Sequence, residues 1–330
     1  MIRKTKELSE DEERNSGRIS FEEEKEEGEG KRRRIIFVLF LLTTGLSFLI
    51  YLGKQASPKI EEITQPAVFR SSPAFSPSPS PSPIEESKAL ELEKILAGRQ
   101  GVYGVYYLNL RTGKAVSIRE KESFPAASLI KLPIVYTLYQ QAQEGKINLE
   151  EKYTLKEEDK VGGAGSLYQD AAGAVYSYRE LARLCGKQSD NTAAAILEKV
   201  LGAEAIEATI RRLGMENTSF SRRQTTPEDI ALFWQKLWEG DLKEEYREEI
   251  LDLLTETIFE EQIPAALPAG VKVAHKVGID EGILHDAGII FQDPPFILVL
   301  MSKNNNREEA QEAFILLTKA LLESGEEGEE

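Results

Sequence analysis

Three short groups of residues have the types and spacing to perform chemistry, and they follow one another along the chain. The first is Ser128-Leu129-Ile130-Lys131, which opens an apolar run continuing through Tyr139. In a helix, positions i and i+3 share a face with Cβ atoms about 5–6 Å apart, so the Lys131 amine is within reach of the Ser128 hydroxyl. A serine hydroxyl is a poor nucleophile until a neighbouring base takes its proton. A lysine becomes such a base when burial or a second cation lowers its pKa. A helix start adds free N–H groups and partial positive charge where an oxyanion would form. The second group is Ser189-Asp190-Asn191, between the helical runs Tyr178–Cys185 and Thr192–Leu201. Alone it reads as a helix start, since all three residue types cap. The third, Lys276-Val277-Gly278, closes a β run from Val271 to Val277, and its glycine lets a substrate backbone approach closely. No one of the three is diagnostic by itself.

The elements that must position these groups are readable from the pattern. A helical stretch, Ile84–Ala97, precedes two β runs, Val102–Leu110 and Ala115–Arg119, joined around Arg111-Thr112-Gly113 as a hairpin. A long, mostly helical middle follows, from Ala127 to about Thr257. Three β runs return at Val271–Val277, Ile283–Phe291 and Phe296–Met301, and Glu308–Leu322 has apolar residues at helical spacing. Strands at both ends and helices between them imply an α/β (α+β) fold. Its core is one antiparallel five-stranded sheet flanked by helices, with a helical subdomain beside it.

Composition narrows the chemistry. The 330 residues carry a net charge of -15, which argues against a nucleic-acid binder. One cysteine and two histidines exclude a disulfide framework and make a metal centre improbable, so no metal or cofactor is expected. Catalysis would have to run on Ser, Lys, Asp, Glu and backbone. Cys185 reads as a small buried hydrophobe. His275 adjoins Lys276, but strand alternation points it to the opposite face.

Ahead of the globule lie three unlike segments. Residues 1–34 are charged, almost without aromatics, and read as a disordered tail. Residues 35–53 contain an eighteen-residue uncharged run, Ile35 to Leu52, long enough for a transmembrane helix. Lys31, Arg32, Arg33 and Arg34 abut its start, so the positive-inside rule places the N-terminus in the cytoplasm and the rest outside the cell membrane, as a single-pass anchor. The run is too long, and lacks the small-residue site, for a cleaved signal peptide. Residues 54–86 hold seven of the fourteen prolines and end in the Ser-Pro run Ser76–Pro83, a semi-rigid spacer. Residues 87–324 form the globular domain and 325–330 an acidic tail.

In this order and topology the three groups resemble the S-x-x-K, S-D-N and K-T-G motifs of class A β-lactamases and penicillin-binding proteins. The flanks are similar too: Pro125-Ala126-Ala127 before Ser128, Thr192-Ala193-Ala194 after Asn191, and His285-Asp286-Ala287-Gly288-Ile289 as the strand paired with the third motif. The resemblance implies that Ser128 forms an acyl-enzyme and that Lys131 is its base or part of a proton relay. Ser189 and Lys276 would pass a proton to the leaving nitrogen. Asn191 would bind the acylamide side chain, and Asp190 would brace the loop. The N–H groups of Ser128 and Ile279, the latter beside Gly278, would form the oxyanion hole. The implied partner is a β-lactam or a peptidoglycan-derived substrate. The alternatives are a D-Ala-D-Ala peptidase-like or penicillin-binding enzyme, and a non-catalytic envelope binding module.

Three departures from the family pattern stand out. The long loop that carries the deacylating glutamate is missing between Gly214 and Pro227, where Glu216 lies too early and Glu228 and Asp229 read as a helix's first turn. Val277 replaces the hydroxyl residue of the third motif. Asp286-Ala287 stand where many members place an arginine for the substrate carboxylate. Slow deacylation and weak binding of anionic β-lactams are the expectations. Arg222 or Arg223 is a candidate substitute cation on the shortened loop.

Overall fold

The computed structural model describes residues 83–323. The charged stretch 1–34, the apolar run 35–53, nearly all of the spacer 54–86 and the tail 325–330 lie outside the described residues. Among the described residues no helix is long and apolar enough to cross a membrane.

Helix α1 (Pro83–Leu96) leads into strands β1 (Val102–Asn109) and β2 (Ala115–Ile118). Their turn forms because Asn109 Oδ1 accepts the N–H groups of both Arg111 and Thr112, at 2.9 Å each. Gly113 then supplies a φ of +72°, which only glycine adopts without strain. After a short strand β3 (Phe124–Pro125), a 3₁₀ turn (Ala127–Ile130) feeds helix α2 (Lys131–Gln143). Every residue of α2 from Lys131 to Tyr139 is buried, as an all-round apolar run demands.

The helical middle begins with the small hairpin β4 (Lys152–Thr154) and β5 (Val175–Ser177). It then passes through α3 (Tyr178–Lys187), α4 (Asn191–Leu201) and α5 (Ala203–Arg212). A capping box fixes the start of α3, where the Ser177 hydroxyl accepts Glu180 N–H and Glu180 Oε2 accepts Ser177 N–H. Strand β6 (Gln224–Thr225) pairs antiparallel with β3. Helix α6 (Pro227–Glu239) starts with the Thr226 hydroxyl as its cap, Pro227 in the first turn, and ends on left-handed Gly240. Helices α7 (Glu244–Leu253) and α8 (Ile263–Ala266) precede strands β7 (Lys272–Asp280), β8 (Ile283–Phe291) and β9 (Phe296–Lys303), and α9 (Arg307–Glu323) follows them.

The main sheet is five-stranded and antiparallel in the order β2-β1-β9-β8-β7, assembled from both ends of the domain as the sequence implied. Both of its faces are covered. In β9, Ile297, Val299 and Met301 join the core under the helical middle, whereas Phe296, Leu298 and Leu300 join a second core against α1 and α9. That two-residue period is the pleat itself. Fully burying one such side chain contributes about 1.5–3 kcal/mol, so truncating a core aromatic such as Phe314 to alanine would cost about 3–5 kcal/mol.

Candidate active site

The site lies where α2, α4 and the free edge of β7 meet. Ser128 is the second residue of the 3₁₀ turn, so its N–H is among those that a helical start leaves without an intrahelical partner. The residue before it, Ala127, has φ +44°, a strained value for a residue with a Cβ. Gly278 explains how the turn can approach β7, since a Cβ there would meet His285 at 3.2 Å and the Ala127 methyl at 3.3 Å.

Lys131 begins α2 and is almost wholly buried. Its Nζ is within hydrogen-bond distance of the Ser189 carbonyl, the Ser189 hydroxyl at 3.2 Å and Asn191 Oδ1 at 2.7 Å. Lys276 reaches the same Ser189 hydroxyl at 2.8 Å and the Val277 carbonyl at 2.9 Å. Two lysines therefore share one hydroxyl. Behind them lies a small pocket walled by Leu132, Val135, Cys185, Phe233 and Leu254. Burial lowers the pKa of Lys131. Burial, then the charge of Lys131, brings Lys276 down to about 7. The Ser128 hydroxyl makes no hydrogen bond among the described residues; the amine expected to reach it is turned toward Ser189 and Asn191.

The second motif is braced by a glycine-rich loop. Asp190 caps α4 by accepting Ala193 N–H at 2.8 Å, and its other oxygen accepts Leu167 N–H at 2.8 Å. Asn191 donates from Nδ2 to the Gly162 carbonyl at 2.8 Å. A Cβ on Gly165 would overlap the Asp190 carboxylate, and Gly165 sits at φ +90°, so glycine is required on both counts. Ser189 is itself left-handed at φ +54°.

Ile279 is placed by strand alternation. On the outer edge of β7, His275 N–H bonds the Leu254 carbonyl at 2.8 Å. Residues two and four further on, Val277 and Ile279, present their N–H groups to that same edge. The Ile279 N–H thus faces the cleft side of the strand that packs on the Ser128 turn.

Several residues lie where alternation or spacing put them. Cys185 is fully buried, and burial pushes its thiol pKa up. His275 faces away from Lys276 and bonds Asp286 Oδ1 at 2.8 Å and the Thr257 hydroxyl at 3.1 Å. Burial disfavours its charge, but the Asp286 and Glu260 carboxylates prevail and raise its pKa to about 9. Asp286 also accepts Ile263 N–H at 3.0 Å, so the residue at the usual arginine position is consumed by a structural ion pair.

The shortened segment is a tight turn. Ser219 and Gln224 exchange both backbone bonds, at 2.9 and 3.2 Å. Glu216 is exposed, Glu228 engages Glu120 through its backbone, and Asp229 accepts Asn217 N–H and the Thr218 hydroxyl. None of these three carboxylates bonds Lys131 or Ser189. Arg223, one of the two candidate cations, donates to Glu198 at 2.8 Å.

One residue of the site was not singled out from sequence. His285 is buried; its Nε2 donates to the Pro125 carbonyl at 2.7 Å and its Nδ1 accepts Ser302 N–H at 3.2 Å. Nδ1 also lies 2.8 Å from the Leu284 carbonyl, and burial, which outweighs both carbonyls, brings the ring's pKa down to about 4 and keeps it neutral at pH 7. His285 thereby ties the segment ahead of Ser128 to the sheet. Its partner is 160 positions away, so no local spacing signals it.

A β-lactamase, L2 of Stenotrophomonas maltophilia, is 30% identical over 196 residues, covering 54% of this chain and 62% of that protein. The chain thus spans under two thirds of the length of that relative. Among solved structures, PBP-A superposes with a TM-score of 0.69 at 25% identity, covering 72% of this chain and 95% of that one. A variant of PBP-A in an acyl-enzyme complex with penicillin G gives a TM-score of 0.69 at 25% identity, over 75% of this chain and 98% of the other. A sequence profile of the β-lactamase enzyme family matches residues 88–324, nearly the whole folded domain, and with the three motifs converging on one cleft the chain belongs to that family.

Proposed function

We propose that the chain is a serine hydrolase that forms an acyl-enzyme on Ser128 with a β-lactam and releases it slowly. The observation that carries this reading is the Ser189 hydroxyl held between Lys131 and Lys276 beside the nucleophile turn. In acylation the Ser128 oxygen attacks the carbonyl carbon and its proton passes to the neutral Lys131 amine. The carbonyl oxygen takes the developing charge against the N–H groups of Ser128 and Ile279. As the C–N bond breaks, the nitrogen takes the Ser189 hydroxyl proton, which Lys276 replaces. Asn191 steadies Lys131 and receives the acylamide. The lowered pKa values of both lysines suit this relay, because each must give up and regain a proton near neutral pH.

Hydrolysis of the ester needs a second base for water. No carboxylate of the shortened turn bonds the lysines or Ser189, which supports a long-lived adduct. The PBP-A variant captured as a penicillin G acyl-enzyme supports the same chemistry on this fold. The test is to incubate the protein with a penicillin and follow the covalent mass on Ser128. The expected result is one adduct per chain that persists; absence of any adduct at high drug concentration overturns the reading.

We also propose that residues 35–53 anchor the chain in the cell membrane, with the N-terminus cytoplasmic and the hydrolase domain outside. The charge step from Lys31–Arg34 to the apolar run supports it. A reporter active only outside the cytoplasm, fused after Glu330, is expected to work; activity of a cytoplasm-only reporter instead would refute the topology.

A further inference from the structure

The short turn carries a charge pair that acylation does not use. Arg223 sits at φ +53°, a conformation rare for residues with a Cβ. It is held there by Arg223 N–H to the Phe220 carbonyl at 3.2 Å and by Ala126 N–H to the Arg223 carbonyl at 2.8 Å. Ala126 is two residues before the nucleophile. The guanidinium lies 4.3 Å from the Phe220 ring centroid and donates to Glu198 Oε2 at 2.8 Å. Glu207 accepts Ser221 N–H at 3.0 Å, so the turn is pinned to both α4 and α5.

Glu198 follows Asn191 by seven residues on α4. Seven residues return to the same helix face within about 20°, roughly 10 Å further along the axis. One helix wall therefore runs from the Lys131–Asn191 contact to the Glu198–Arg223 pair. Unlike the two lysines, this pair is open to solvent, with side chains 33% and 47% exposed. Both partners keep capacity to spare. Among the described residues the guanidinium makes a single hydrogen bond and Glu198 Oε1 accepts none. Arg223 is also close enough for its charge to help lower the pKa of Lys131.

We propose that Glu198 and Arg223 form a subsite for the acyl side of the substrate and that it takes a zwitterionic α-amino-acid terminus. Arg223 receives the carboxylate and Glu198 the ammonium, so four charges alternate without breaking the existing pair. A purely anionic group meets Glu198 and a purely cationic one meets Arg223; a group with both charges satisfies each. This inference rests on the acyl-enzyme reading, with the acylamide at Asn191 setting the direction of the side chain along α4.

The test compares two penicillins with the same bicyclic nucleus on the full-length protein. Penicillin N ends in an α-amino-acid group, whereas benzylpenicillin ends in a neutral ring. Second-order acylation rates are read from the adduct mass on Ser128. Penicillin N is expected to react faster by about tenfold, the scale of one charge-assisted hydrogen bond. In Arg223→Gln and in Glu198→Gln the ratio should fall to within about twofold, as for an exposed pair that has lost a partner. Arg183→Gln, at an exposed position on α3 outside the site, should leave the ratio unchanged. Each ratio is taken on one preparation, so it does not depend on the fraction of folded protein. Equal rates in the unaltered protein, or a ratio that survives both substitutions, overturn the subsite and leave the acylation of Ser128 standing. No adduct with either penicillin overturns the acyl-enzyme reading and this subsite with it.

Discussion

The floor of the cleft and its rim on the side of the shortened turn are built on opposite terms. On the floor, Lys131 and Lys276 are buried, share one hydroxyl, and are placed by a central helix and a sheet strand. On the rim, Arg223 and Glu198 stand half in solvent on a turn and a helix flank. Burial tunes the first pair, because desolvation is what moves lysine toward a usable base. The second pair is screened by water and salt, so it steers and selects rather than reacts. In the proposed reading the floor supplies what acylation requires, while no carboxylate of the shortened turn bonds the lysines or Ser189. This asymmetry is the proposed function in physical form.

The strongest way to break that contrast is to remove the floor's chemistry. Ser128→Ala is expected to abolish covalent labelling by a penicillin. Lys131→Ala should slow it by about 10²–10⁴, the usual worth of a positioned base. Intact-protein mass spectrometry checks both, and an adduct of unchanged mass on Ser128→Ala would show that the nucleophile lies elsewhere.

The rim is tested by the fate of the ester once acylation is complete. Without a general base for water, the ester is expected to hydrolyse about 10²–10⁴ more slowly than with one. Stopped-flow hydrolysis should then show a burst of about one equivalent and a slow steady rate. Val277 and the occupied Asp286 should raise the drug concentration at which the burst saturates. Rapid steady turnover with no accumulating adduct would mean that a carboxylate reaches the ester after all.

A smaller effect probes how the floor is held. His285 donates to the Pro125 carbonyl just ahead of the Ser128 turn. His285→Leu keeps the bulk and removes the donor. Acylation should slow by about tenfold, the cost of one buried hydrogen bond left unmade. The step after it, ester hydrolysis, should be unchanged. A merely structural role would instead lower the melting temperature while leaving the acylation rate per folded molecule intact.

How far the sequence disclosed this arrangement depends on the range of each signal. The main sheet was legible, since its strands are long apolar runs and its hairpin at Arg111–Gly113 has a local turn signature. That Ser128 and Lys131 open one helical run was legible, because helical spacing is a local rule. The opposite facing of His275 and Lys276 came from alternation alone. Hidden instead were contacts between distant segments, such as His285 with Pro125 and Glu198 with Arg223. Neither has a periodicity, and a carboxylate on a helix flank reads as ordinary surface until the turn that meets it is placed. The same holds for the rotamer of Lys131, which points to Ser189 rather than to Ser128.

The smallest effect expected is on stability, and it separates the floor from the rim by sign. Lys276 is fully buried with its pKa brought down to about 7, from an unfolded value near 10.4. A group whose folded pKa is depressed binds more protons unfolded than folded between those two values. Stability therefore rises as pH goes from about 7 toward 10, and the cost of the buried charge is fully felt below 7. Lys276→Met removes that cost along with the proton donor. It is expected to raise the melting temperature at pH 6, each kcal/mol recovered being worth roughly 2–4 °C for a domain of this size. The gain should shrink toward zero as the scan moves to pH 10. Arg223→Gln, at the solvated rim, should shift melting by less than a degree or two at any pH, as exposed pairs do. Calorimetry across that range decides it. A Lys276→Met protein that melts lower than the parent at pH 6, or a gain that grows with pH, would mean that Lys276 keeps its proton when buried and is held as a cation by the hydroxyl and carbonyl around it.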